Sequence, residues 1–329
     1  MPINPNTIIA SIMGMADKLD EKAARAVEKE LVHIYRRGLD NMRLRLSKFY
    51  EQHGAELTFS EAVKYNRLTK LEKQIADELK EVNREANKAI TNAIGESYQE
   101  NYFIHSYAIN SSSKLSFAVS NLSPDDIKAA LLNPYDRVTW PKRLAGHTKT
   151  LQDRLRGAVT DALLRGQGVD EAARNLRKAD WFKTALNNAK GHWNNAAYKA
   201  KTIMWTETHR ASEAGRAVAW SKAKGAADKL DIEMLKIWDA TLDTKTRPSH
   251  QIMDQQVSDA EGYFTMRGKK VAGPGNTGFA SEDIRCRCSA MAHFPDMPTK
   301  YRLDNVDKKI TTAQNYREWA KKKGYTSKR

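Results

Sequence analysis

Apolar positions recur every three or four residues along most of the first hundred. Leu31, Tyr35, Leu39, Met42, Leu46 and Phe49 form one stripe between Lys18 and Tyr50, the signature of a helix with one buried face. His53-Gly54 interrupts it, and Thr58 with Glu61 three residues on is a capping box for a new start. The second stripe, Leu68, Leu71, Ile75, Leu79, Val82, Ala86, Ala89 and Ala93, mixes steps of three and four, the period of a helical hairpin or coiled coil. It predicts an antiparallel helix pair that buries its own seam, with a seam docked on another protein as the alternative. The small Ala residues late in the stripe permit close helix approach.

Punctuation then cuts the pattern into shorter pieces. Asn110-Ser111-Ser112-Ser113 reads as a loop. Ser123-Pro124-Asp125-Asp126 supplies a cap, a proline for the first helical position and acids for the first turn, so a short helix runs to Leu132 and stops before Pro134. After Trp140-Pro141, the residues Leu144, Leu151, Leu155, Val159, Leu163 and Leu164 mark a helix ending at Gly166. Gly168-Val169-Asp170 opens another with Ala172, Ala173 and Leu176. Two helices about a Gly-bounded turn, with Arg165, Arg174, Arg177 and Lys178, have the layout of a helix-turn-helix reader. The short second helix carries no row of base-reading side chains, which favours an ordinary helical hairpin. Ala196 to Lys224 reads as one more long helix, in which Glu207 next to His209 and Arg210 is an ion-pair partner, the other reading being a general base or metal ligand.

Beyond Leu235 the helical period gives way. Leu235 to Trp238 alternates as a short strand does, Asp243 to Pro248 is a turn, and His250 to Met253 opens a helical turn. Tyr263-Phe264-Thr265 and Lys270-Val271 flank Arg267-Gly268-Lys269 as a hairpin, and Gly273-Pro274-Gly275-Asn276 is irregular. Ile284 to Cys288 reads as a returning strand with Cys286 and Cys288 on one face and Arg285 and Arg287 on the other. Two thiols on one face with His250, and Asp254 or His293 as the fourth group, make the ligand set of a structural zinc site. The alternative is that the cysteines are small buried hydrophobes, with His250 and Asp243 in a hydrogen-bonded network that holds the loops. Asp243, His250 and Asp254 as a metal-dependent phosphodiesterase centre would lack a second acid pair and a nucleophile.

The elements together predict an α+β protein, mainly helical, with long N-terminal helices and a small β-containing C-terminal module. The expected parts are a helical region over 1–122, a domain of helices then small β module over 123–293, and a basic tail over 294–329. Charge adds a partner class. The 329 residues carry a formal net charge of +15, which points to a polyanion, nucleic acid before anionic membrane. No apolar run is long enough to span a bilayer and the first residues lack a signal-peptide pattern, so a soluble, cytosolically made protein is expected. Two cysteines two apart cannot build a disulfide framework. Lys321, Lys322, Lys323, Lys328 and Arg329 make the segment from Thr299 onward a flexible basic arm, with these residues as candidates for DNA contact.

The order Thr206-Glu207, then Trp238-Asp239-Ala240-Thr241-Leu242-Asp243, Thr246-Arg247, His250, Asp254, Pro274-Gly275 and Cys286-Arg287-Cys288 resembles the phage Mu F-like family of head morphogenesis proteins. The Gly166-Gln167-Gly168 turn fits it as well, and the resemblance covers about Leu144 to Cys288. The chain departs from the family's pattern at Trp205, where Arg often stands, at Gln255, where Gly does, and at Arg285, where Asn does. The resemblance implies a minor capsid protein of a tailed-phage virion, inside the head at the portal vertex and in the host cytoplasm during assembly. Implied partners are the portal protein, the scaffold and major capsid proteins, and genomic DNA bound without sequence preference, with no membrane. Glu207, Trp238, Asp243, Arg247, His250, Cys286 and Cys288 are then a structural motif with no catalytic residue, and no cofactor is expected unless His250, Cys286 and Cys288 hold the structural zinc of the first alternative above. Some Mu F-like domains are fused to toxin domains, and nothing after Cys288 is expected to be one. The competing readings are a phage-encoded metal-dependent nuclease or transferase, and a basic nucleoid-type DNA-binding protein.

Overall fold

The structure, a computed structural model, describes residues 4–53, 59–64, 66–113, 115, 117–132, 138–167, 171, 174–175, 196–295, 297, 299 and 301–325. The helices in chain order are α1 (Pro5–His53), α2 (Phe59–Lys64), α3 (Arg67–Ser112), α4 (Pro124–Leu132), α5 (Trp140–Leu164) and α6 (Ala196–Asp228). Then follow β1 (Leu235–Asp239), α7 (Pro248–Met253), β2 (Phe264–Met266), β3 (Lys269–Val271), α8 (Ala280–Asp283), β4 (Ser289–His293), β5 (Arg302–Asp304), β6 (Lys309–Thr311) and α9 (Tyr316–Lys322). This is the α+β, mainly helical arrangement expected. The chain divides into two compact units, a helical one of residues 25–91 and 137–204, and a mixed one of residues 1–24, 92–136 and 205–329.

In the helical unit both predicted stripes are buried. Leu31, Leu39 and Leu46 of α1, and Leu71, Ile75 and Leu79 of α3, are each at most 5% exposed, as is Leu155 of α5 at 2%. Arg37 pairs with Glu85, and Arg45 with Glu78 at 3.0 Å, so positions rising along α1 meet positions falling along α3. The two are antiparallel. Thr148 donates to Asn83 at 3.2 Å and Arg156 reaches Glu72 at 2.7 Å, which sets α5 antiparallel to α3 as well. Gly38 allows the α1–α3 approach, since a Cβ there would lie 2.2 Å from Val82 Cγ2.

Three expectations need correction. The helix that begins the chain starts at Pro5, well before Lys18, because Ile9, Met13 and Ala16 continue an apolar face that is buried in the mixed unit. Asn110 to Ser112 is the end of α3, not a loop. Ser111 and Ser113 hydroxyls donate to the carbonyls of Tyr107 and Ile109 at 2.7 and 2.8 Å, so polar residues that usually break a helix finish this one. The segment expected as a flexible arm is folded from Arg302 to Lys322 as β5, β6 and α9. Trp319, fully buried, and Tyr316 pack with Leu242 to anchor it. Thr58, most of the helix expected after Gly168, and Lys328 and Arg329 lie outside the described residues.

The mixed unit is built around β1 and β4, antiparallel with Ile237 opposite Met291. A two-stranded sheet leaves backbone donors and acceptors on both edges, and burial requires that they find partners. On one edge Trp238 and Lys236 bond with residues 255–258. On the other, Glu213 of α6 accepts from the Ala290 N–H at 2.9 Å and His105 Nε2 accepts from the Ala292 N–H at 3.2 Å. Both edges are closed. Gly215 lets α6 lie against α3, since a Cβ there would sit 2.3 Å from the Tyr98 carbonyl oxygen. The predicted hairpin is β2–β3, with Arg267 and Gly268 both at positive φ as a two-residue turn of the I′ kind requires.

Candidate functional site

The motif residues converge on the apolar cluster over one face of β1. Trp238 in mid-strand is fully buried and meets the His250 ring edge-on at 5.7 Å between centroids and Phe264 at 5.4 Å. His250 is brought there by α7, whose first turn begins at Pro248, a residue suited to that position. The segment carrying Cys286 and Cys288 is not a strand. Arg285 takes a left-handed backbone at φ 55°, β4 starts only at Ser289, and the expected strand over Ile284 to Cys288 is replaced by a turn. The two thiols still share a side. His250 Nδ1 lies 3.2 Å from Cys288 Sγ and 3.7 Å from Cys286 Sγ.

The other ring nitrogen faces an acid that sequence reasoning missed. Glu282 Oε2 is 3.0 Å from His250 Nε2, and its side chain is 3% exposed. Ser249 Oγ donates to the same carboxylate at 2.7 Å and Arg267 pairs with it. Burial raises the Glu282 carboxyl, but Ser249, His250 and Arg267 outweigh it and hold the group below its usual range. Burial likewise lowers His250, while Cys288 and Glu282 more than offset that and leave a net rise. Contact with Cys286, together with burial, pushes the Cys288 thiol well above its usual range. Glu282 sits in a four-residue helix with no sequence signature, so no pattern could have picked it out.

The remaining motif residues bind loops. Arg247 donates to the Glu282 carbonyl at 3.2 Å and to the Ile284 carbonyl at 2.5 Å, fastening the approach to Cys286. Asp243 stands apart from the thiols and pairs with Arg287, Nη2 to Oδ1 being 3.0 Å. Burial raises its carboxyl, but Arg287 outweighs that for a net lowering. Glu207 pairs with Arg210 at 2.8 Å within α6, both nearly buried. Asp254 and His293 do not join the thiols. Asp254 accepts from the Ala240 N–H at 2.8 Å and is clasped by two nitrogens of Arg302, each at 2.8 Å. His293 Nδ1 lies 3.1 Å from Asn6 Nδ2. Among the tail lysines, Lys322 pairs with Glu318 at 2.7 Å and Lys323 with Asp304 at 2.8 Å, while Lys321 is exposed.

Two buried arginines were also missed. Arg302 is 3% exposed and also contacts Asp239 at 2.6 Å. Burial and Asp254 push the Asp239 carboxyl up to about 6, against the pull of Arg302. Arg216, 2% exposed, holds Asp17 at 2.5 Å, Glu213 at 2.9 Å and the Asn101 side-chain oxygen at 2.8 Å. The His105 ring donates from Nδ1 to the Arg216 carbonyl at 3.0 Å while Nε2 accepts from Ala292, an arrangement only the neutral ring can make. Burial lowers its pKa to about 3. A cavity beside these groups has a volume of about 50 Å³, space for a few waters at most, and is lined in part by His105, Glu213, Arg216 and Lys236.

Residues 153–291 match the family described as Phage Mu protein F like protein, the family that the Trp238-to-Cys288 motifs resemble. Over that stretch the chain is similar to the phage Mu F-like family. The chain is 27% identical to the minor head protein GP7 of Bacillus phage SPP1 over 93% of its own length and 96% of that protein. It is 26% identical to the NAD(+)–arginine ADP-ribosyltransferase EFV of Enterococcus faecalis over 89% of its length, but spans only 56% of that protein. No solved structure matches. Among the described residues no helix is long and apolar enough to cross a membrane.

Proposed function

We propose that this chain is a minor structural protein of a tailed-phage head, acting at the portal during assembly and touching packaged DNA. The observation that carries the reading is the end-to-end alignment with a minor head protein, 93% of this chain on 96% of that one. The motif geometry supports it. His250, Cys286, Cys288 and Glu282 are buried and face one another, and Arg247 and Arg287 are spent on fastening loops. Catalysis needs a poised group with an open position for substrate. A net charge of +15 supports contact with DNA phosphates, which is then electrostatic, indifferent to sequence and steeply weakened by salt.

The second reading, a transferase, is favoured by the match to the ADP-ribosyltransferase. The aligned part covers 56% of that enzyme, so the stretch shared with this chain and with the head protein need not be where its activity resides. Deletion of the gene from its phage, with cross-linking of purified wild-type heads, tests the leading reading. It expects heads that lose infectivity on deletion and cross-links from this chain to the portal protein. Infectious heads without the chain would overturn it. Transfer of ADP-ribose from labelled NAD(+) to an arginine-bearing acceptor by the purified chain would establish the second reading instead.

A further inference from the structure

The three groups that meet beneath Trp238 are chemically a soft-metal ligand set, and their spacing fits an ion. Cys286 Sγ, Cys288 Sγ and His250 Nδ1 all lie within 4.8 Å of one another. Zinc bound at about 2.3 Å from sulfur and about 2.0 Å from nitrogen in tetrahedral geometry sets sulfur-to-nitrogen edges near 3.5 Å. The observed edges of 3.2 and 3.7 Å bracket that value.

A second, independent observation concerns the far side of the ring. A histidine that ligates metal through one nitrogen usually gives its other N–H to a carboxylate, which fixes the tautomer and raises the basicity of the ligating atom. Glu282, buried and itself held by Ser249 and Arg267, lies 3.0 Å from His250 Nε2, within reach of that place although the ring N–H is not aligned on it for a hydrogen bond. With the proton on Nε2, the Nδ1 lone pair is aimed at the two sulfurs. The motif surroundings add a dry wall, since Trp238, Phe264, Met266 and Val271 enclose the thiols.

We infer that Cys286, Cys288 and His250 Nδ1 bind one zinc ion, with Glu282 as the positioning carboxylate of the histidine. Asp254 and His293, considered from the sequence as a fourth ligand, are bonded elsewhere, to Arg302 and to Asn6. Among the described residues three protein ligands then hold the ion, which leaves its fourth position open. Such an open position serves catalysis in enzymes, but here the ligands are 2 to 3% exposed, so a substrate has no approach. The ion is a clasp. It joins the turn before β4 to α7, adding to the hydrogen bonds by which Arg247 and Ser249 already hold that turn. This inference concerns the motif and stands or falls apart from the assignment to the phage head.

The full chain, purified without chelators, is assayed for metal by mass spectrometry and then loaded with cobalt as a spectroscopic probe. One zinc per chain is expected, and cobalt should give thiolate charge-transfer absorption of the strength of two sulfurs with the visible bands of a four-coordinate ion. Cys286→Ser and Cys288→Ser should each abolish stoichiometric binding. Glu282→Gln should keep the ion with an affinity about 10 to 100 times weaker, because it loosens the ring without removing a ligand. If the cysteine variants fail to fold, the cobalt spectrum and a chelator competition on the wild-type chain decide. A folded, metal-free wild-type protein that gives no charge-transfer band on cobalt addition would overturn the proposal. So would zinc retained unchanged in Cys286→Ser.

Discussion

Arg37 and Arg156 of the helical unit keep 48% and 67% of their side chains exposed while they pair across helices. Arg216 and Arg302 of the mixed unit keep 2% and 3% while each meets two or more acids. Exposed pairs contribute little and tolerate sliding, so the helical unit rests on its apolar seam. Buried pairs are costly to desolvate and tolerate no loss of a partner, so the mixed unit is fixed in one arrangement by charges that must all be present. The chain thus uses two ways of being stable. One is generous to substitution at polar positions and strict at apolar ones, and the other is strict at both.

The largest expected effect lies in the mixed unit. Arg302→Met should cost about 3 to 5 kcal/mol, measured by denaturant unfolding, because it strands Asp239 and Asp254 in the interior. A loss below about 1 kcal/mol would erase the contrast between the units. In the helical unit the sensitive position is Leu79, 1% exposed, where Leu79→Ala should cost about 3 kcal/mol. Arg156→Ala in the same unit should stay below about 1 kcal/mol.

Acid should act through the mixed unit. His105 has a pKa of about 3 when folded against about 6.5 in an unfolded chain, so the group is depressed on folding. Its contribution is whole above about 6.5 and is lost as pH falls towards 3, at about 1.4 kcal/mol per unit. Comparing wild type with His105→Asn removes the other titrating groups from the difference. The advantage of wild type should shrink steadily from pH 7 to pH 4, and an advantage that is flat or grows over that range would refute the account. The smallest effect is a gain. Gln255 and Arg285 hold left-handed backbone at φ 66° and 55°, positions where a residue without a bulky Cβ is favoured. These are the two places where the chain lacks the Gly and Asn that the resembling family carries. Gln255→Gly should raise stability by up to about 1 kcal/mol, seen as a rise in Tm.

The same contrast governs what the sequence could reveal. The helical unit was legible because its stability is periodic, and Leu31 to Phe49 and Leu68 to Ala89 announce their own packing. The β2–β3 hairpin was legible because Arg267-Gly268 requires one turn type. The meeting of Cys286, Cys288 and His250 was suggested by residue type, yet its backbone was misread as a strand, since Arg285 gives no sign of a left-handed turn. Glu282, Arg302 and Arg216 were invisible for a further reason. A buried charge is defined by partners far along the chain, such as Asp17 for Arg216 and Asp254 for Arg302, and no local pattern encodes them.

The Asn6 side chain donates to the Phe294 carbonyl at 2.8 Å and accepts from the Phe294 N–H at 2.9 Å, bonds that join residues 288 apart. Those bonds set a timetable. A ribosome adds about 5 to 20 residues per second, so roughly 15 to 60 s separate the making of Asn6 from the arrival of the backbone it needs. For that interval Ile9 and Met13, which pack with Met291 and Phe294 in the same cluster, have no finished surface to lie on. Residues made early are thus among the last of the unit to be placed, which leaves the nascent chain dependent on whatever shelters its apolar face meanwhile.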